Sequence, residues 1–168
     1  MSGAASDSEV PWLDAGQLED RKALVAMLMT LPAALDGQLR RDSELNIFEY
    51  QVLAALSGAP ARTIAMSELA LLSQGSLSRL SHAVTRLERD GAVERRVCSS
   101  AGRRIEVRLT EVGWQAIQRA APGHVREARR LVVDALTAEQ LHHLGEAARA
   151  VVAATNPGLA AKLVADPS

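Results

Sequence analysis

Aromatic residues are scarce in this 168-residue chain: Trp12, Phe48, Tyr50 and Trp114 are the whole supply. Cysteine occurs once, at Cys98, so no intrachain disulfide can form. A reducing compartment, the cytoplasm, is the expected setting. Long apolar runs are missing too. The longest uncharged stretch, 23–35, has thirteen residues and contains Pro32, too short for a membrane span. The first 20 positions hold five acids (Asp7, Glu9, Asp14, Glu19 and Asp20) and no Lys or Arg, so a secretory leader is not expected. Alanine (30 residues) and leucine (23) fill the chain instead, within a hydrophobic share of 48%. Strong helix formers with few β-formers predict a mainly α fold. A domain of this length buries roughly 70% of its unfolded surface, so 1–168 reads as one folded domain with a flexible arm at 1–13.

The net charge of −1 hides a division. Between Arg62 and Arg108 nine arginines face five acids, a balance of +4 that leaves −5 for the rest. All nine cations are Arg, the better side chain for bidentate contacts to phosphate or guanine, although a GC-rich genome also favours Arg codons.

Apolar residues recur at helical spacing from Gln17 to Arg41, and Pro32 is expected to kink or divide that helix. Asn46 is a candidate N-cap for a helix from Ile47 to about Leu56, ended by Ser57-Gly58-Ala59-Pro60. Thr63-Ile64-Ala65 fits a short strand. Ser67 then fits the cap of a brief helix to Leu72, Ser73-Gln74-Gly75 a turn, and Ser76 the cap of a helix from Leu77 to Asp90 closed by Gly91. Two short helices joined by a glycine-containing turn form the helix-turn-helix layout. Alternation at Val93, Val97, Ile105, Val107 and Leu109 on both sides of a Ser/Gly turn predicts a two-stranded β-wing. Thr110 is expected to cap a helix to about Ala135, with Pro122-Gly123 as a kink or a break. Thr137 and Gln140 make a capping box for a helix to about Ala154. The tail from Leu159 has no identifiable packing partner.

At 100° per residue, Leu77, Leu80, Val84 and Leu87 share a face about 80° wide. Ser78, Arg79, His82, Thr85, Arg86 and Arg89 lie opposite, with no acid among them. Ser, Arg and His toward the N-terminal half suit base edges, and Arg86 and Arg89 suit flanking phosphates.

The order and spacing of Phe48-Glu49-Tyr50-Gln51-Val52-Leu53, Met66-Ser67-Glu68-Leu69-Ala70 and Arg79-Leu80-Ser81-His82-Ala83-Val84-Thr85-Arg86-Leu87-Glu88 resemble MarR-type transcriptional regulators. So do Gly91-Ala92-Val93, Gly102-Arg103 and Leu109-Thr110-Glu111-Val112-Gly113. The resemblance implies a homodimer. Helices within 17–45 and 111–154 would form its dimerisation layer, and 46–110 a winged helix-turn-helix lobe that binds double-stranded DNA at a pseudo-palindromic operator. It carries DNA contacts to Ser76, Ser78, Arg79, His82 and Arg86, and a wing-tip contact to Arg103. Family members often carry Asp two residues before that arginine; Ala101 stands there, leaving Arg103 less pre-organised. The resemblance also implies a small, often phenolic, effector in a crevice between layer and lobe, and a repressor as the usual role. A winged dimer serving as a protein-interaction module, without sequence-specific DNA binding, is the alternative.

No other chemistry is expected. Cys98 reads as a bystander thiol, although Arg95 and Arg96 nearby could activate it. His142 and His143 point about 100° apart on a helix and cannot easily share an ion. No cofactor is called for, and no nucleophile–base or phosphate-loop motif points to an enzyme.

Overall fold

The computed structural model describes residues 10–98 and 104–165. The arm expected at 1–13 falls largely outside them, as do Ala101 and Arg103. Seven helices and three strands are described: α1 Ala15–Ser43, α2 Ile47–Gly58, β1 Thr63–Ala65, α3 Met66–Leu72, α4 Leu77–Arg89, β2 Val93–Cys98, β3 Arg104–Leu109, α5 Glu111–Ala128, α6 Ala138–Thr155 and α7 Pro157–Ala165.

Side-chain caps set most helix starts. Asp14 and Gln17 exchange bonds at 2.8 and 3.1 Å to open α1. Asn46 and Glu49 do the same for α2, and Thr137 and Gln140 for α6. Thr110 accepts from the Gly113 N–H at 3.1 Å and donates to the Gly91 carbonyl at 2.6 Å, fixing the start of α5 to the turn between α4 and β2. Ser67 is not a cap: Ala65 is the boundary residue of α3. β1 pairs with β3 as far as Ala65, so the chain passes from strand into helix with no residue to spare. Gly91 adopts φ +73 after α4, the left-handed geometry that glycine reaches without strain.

Pro32 neither divides nor interrupts α1, which runs through it for 29 residues. One backbone donor is lost there; α1 packs on α5, and its buried residues, Gln38 and Leu39, lie after the proline. Pro122 is likewise carried inside α5. That helix then widens at Arg129–Val133, where the Asp134 N–H reaches back to the Arg129 carbonyl at 2.7 Å, a five-residue step.

The hairpin pairs Val93 with Leu109 and Cys98 with Arg104, and β1 joins its inner edge to give the order β1-β3-β2. The wing therefore roots in a three-stranded antiparallel sheet. The core joins Phe48, Val52, Leu53 and Leu56 of α2 to Leu69, Leu80, Val84, Leu87, Val107 and Leu109. Leu77, placed on the apolar face by its periodicity, is 58% exposed, and Ala83 is buried instead. Leu77 sits in the first turn of α4, beyond the reach of the core.

The tail does have a partner. Asn156 caps α7, its Oδ1 accepting from Leu159 N at 3.1 Å. Leu159 is buried, and Lys162 pairs with Glu68 of α3 at 2.5 Å. The last helix thus returns from the α5–α6 layer to the winged lobe.

Candidate nucleic-acid interface

α4 owes its orientation to two features of its own sequence. Ser76 Oγ accepts from the Arg79 N–H at 3.1 Å and fixes the first turn. Leu80, Ala83, Val84 and Leu87 then bury the inner face. The remainder turns outward: Ser76, Ser78, Arg79, Ser81, His82, Thr85, Arg86 and Arg89 are all exposed. Every member of the expected set that lies among the described residues thus shares one surface.

Several of these cations are already engaged. The Arg79 guanidinium lies over the Phe48 ring at 4.2 Å. Arg86 forms an ion pair with Glu49, whose side chain is only 4% exposed. Arg89 meets Asp90 at 3.3 Å. Between these groups and α1 lies a groove of about 280 Å³, lined by Asp36, Arg40, Phe48, Glu49, Arg79, His82 and Arg86. Asp36 accepts from the Ile47 N–H at 2.8 Å and from Arg40 at 2.6 Å. The backbone bond first, and Arg40 second, hold its carboxyl below the ordinary carboxylate range.

The hairpin is bolted to α4 by Arg95. Its backbone N–H donates to Glu88 Oε1 at 3.1 Å, and its guanidinium pairs with the same carboxylate. It also donates to the Ser81 carbonyl at 3.0 Å and to Thr85 Oγ1 at 2.9 Å. Sequence reasoning missed this clamp. The one signal was Glu88, the acid lying off the polar face of α4. Arg96 and Arg108 share Glu94 across the hairpin, and Arg62 stacks on Trp114 at 4.1 Å. Part of the +4 segment is thus neutralised by its own acids, and no acid of α4 itself stands among its outward residues Ser78, Arg79, His82, Thr85, Arg86 and Arg89.

Two cavities lie away from this face. One, of about 680 Å³, is bounded by α2, α5 and α7 and lined by Tyr50, Gln51, Ile64, Glu68, His124 and Lys162 among others. The Tyr50 and His124 rings meet at 4.3 Å. Burial pushes the His124 pKa below its ordinary value and the Tyr50 pKa above its own, and among the described residues the buried His124 Nδ1 meets no hydrogen-bond partner. Phe48 belongs to the core and not to this crevice. The other cavity, of about 540 Å³, is apolar and lies between α1 and α6, lined by Met27, Leu31, Leu131, Leu136 and Leu144 among others. Among the described residues no three His, Cys, Asp or Glu side chains gather as metal ligands, and no helix is long and apolar enough to cross a membrane.

No family model matches the chain, and no curated protein matches it either. Solved structures do. Sco3205, a MarR family transcriptional regulator from Streptomyces coelicolor solved in complex with DNA, is 38% identical. Its match covers 90% of this chain and 95% of that one, with a TM-score of 0.86. AbsC, a MarR family regulator from the same organism, is 30% identical over 88% of this chain and 99% of its own, with a TM-score of 0.83. PcaV, also from Streptomyces coelicolor and solved with its natural ligand, is 21% identical with a TM-score of 0.64, a likeness of fold. With the winged lobe, the long flanking helices and 38% identity to Sco3205 over nearly its whole length, the chain belongs to the MarR family of transcriptional regulators.

Proposed function

We propose that the chain is a cytoplasmic, sequence-specific DNA-binding repressor that grips a pseudo-palindromic operator as a homodimer and is released by a small ligand. One observation carries this reading: the exposed, acid-free face of α4 formed by Ser78, Arg79, His82, Thr85, Arg86 and Arg89. In the major groove, Ser76, Ser78, Arg79 and His82 meet bases or adjacent phosphates, Arg86 and Arg89 meet the backbone, and Arg103 reaches the minor groove from the wing. The DNA complex of Sco3205 supports this. The dimer is supported by the apolar α1–α6 groove and by Leu24, Val25, Leu28 and Met29, exposed along α1. The crevice at Tyr50 and His124 is large enough for a small effector.

Gel-shift titrations test the reading. Arg79→Ala or His82→Ala should reduce discrimination between specific and scrambled duplexes by about 1–3 kcal/mol if each reads a base. Arg103→Ala should weaken both duplexes more evenly, and rising salt should weaken all binding steeply. Half-sites selected from a random pool should lie about 10 bp apart. Unchanged affinities in all three variants would overturn the assignment.

A further inference from the structure

Arginines that read DNA lose rotamer freedom when they bind, so a protein that orders them beforehand binds with less loss. In α2 the two consecutive residues Phe48 and Glu49 each touch one arginine of α4. Phe48 is itself wedged under the helix-turn-helix turn: a Cβ on Gly75 would lie 2.5 Å from its ring. Glu49 divides its two oxygens. Oε2 accepts from the Asn46 N–H at 3.0 Å, and Oε1 pairs with Arg86.

We propose that Phe48 and Glu49, in the first turn of α2, position Arg79 and Arg86 for DNA, so that part of the recognition surface is set by residues that never touch it. The Arg79 guanidinium is held against the face of the Phe48 ring, and among the described residues no hydrogen bond or ion pair takes up its N–H donors, which a guanine or phosphate accepts. Glu49 engages one terminal nitrogen of Arg86, whose side chain stays 49% exposed with its other donors available. A buried carboxylate cannot follow a mobile partner, so Arg86 is held where Glu49 is. The opposite effect, in which Glu49 withholds Arg86 from DNA, would need the guanidinium covered. It is half open.

This inference rests on the DNA-binding reading, and its test separates the two. Duplexes are first selected with the unaltered protein; if none is enriched, the DNA-binding reading fails and takes this one with it. On the selected duplex, Glu49→Gln, which keeps the shape and the bond to Asn46, should weaken binding by about tenfold, as expected for loss of one charge-assisted bond. Its binding to random duplex should change less than twofold. In an Arg86→Ala background Glu49→Gln should have no further effect. Equal losses in both backgrounds would reduce Glu49 to a helix cap, and tighter binding by Glu49→Gln would make it an inhibitor; either overturns the proposal. A second measurement needs no variant of Glu49 to fold. The Arg86 Nε–H resonance of the DNA-free protein should be as ordered as the backbone, and a signal as mobile as that of Arg89 would also overturn it.

Discussion

At Gly113, in the first turn of α5, a Cβ would lie 2.1 Å from the Ala92 carbonyl oxygen. Backbone cannot give way as a side-chain tip can, so Gly113→Ala should cost about 3 kcal/mol, the upper part of the overpacking range. Gly58, at the end of α2, has open space where its Cβ would go. Gly58→Ala should stabilise by about 0.5 kcal/mol through the unfolded chain alone. Urea midpoints of the two variants check the contrast. His124 offers a different reading. Burial holds its pKa below the ordinary 6.5, so above that pH the ring is neutral in both states and full stability is present. Below it the unfolded chain takes up the proton first, and stability falls until the folded pKa is passed. His124→Phe, which keeps a ring against Tyr50, should flatten the decline of urea midpoints as the pH falls below 6.5. Single residues were legible where their role is local: Asn46, Ser76, Thr110 and Thr137 cap helices because their side chains reach only three residues ahead. The Arg86–Glu49 and Arg95–Glu88 pairs were not, since their partners meet only once the chain has folded.

The hairpin was readable because alternation with period two survives into β2 and β3 with its register intact. The long helices were readable as apolar periodicity, and of the two outcomes open at Pro32 and Pro122 the break does not occur. A proline in sequence signals a lost hydrogen bond, while the partner a helix packs on, as α1 does on α5, lies far off in the sequence. The widened turn at Arg129–Val133 carries no local signature for the same reason. The tail was the largest omission. α7 is nine residues long, too short for its own periodicity to name a partner, and its hold on α3 depends chiefly on one buried leucine. Leu159→Ala should therefore cost about 2–3 kcal/mol, near the low end for a buried leucine because the site is peripheral. Thermal unfolding should reveal it, with Leu163→Ala, exposed on the same helix, as the silent control.

Across the whole molecule, the alanine and leucine surplus is spread through the helices, and along α1 it is incompletely buried. Leu28 and Met29 of α1 are 59% and 72% exposed, beside the apolar groove against α6. Leu28→Glu should convert a dimer into monomers in sedimentation velocity and abolish operator binding with it. A variant that remained dimeric would assign the interface elsewhere. The charge division is equally a property of the whole. The long helices are close to neutral in themselves, while the arginine-rich lobe pairs several of its cations with its own acids and carries Arg79, Arg86 and Arg89 on α4.

The return of α7 to α3 has a mechanical consequence. The winged lobe is tied to the helical layer through Asp36 and Ile47 at the α1–α2 junction, through α2 packed on α5 where Tyr50 meets His124, through the continuation of β3 into α5 at Thr110, and through α7. A body with a single attachment swings freely, whereas one with several transmits load. The α7 tie is the slenderest, an exposed ion pair and one leucine, so it is the joint that yields first when the lobe is pushed. In the proposed dimer, that joint would bear on how readily the span between the two DNA-reading helices changes.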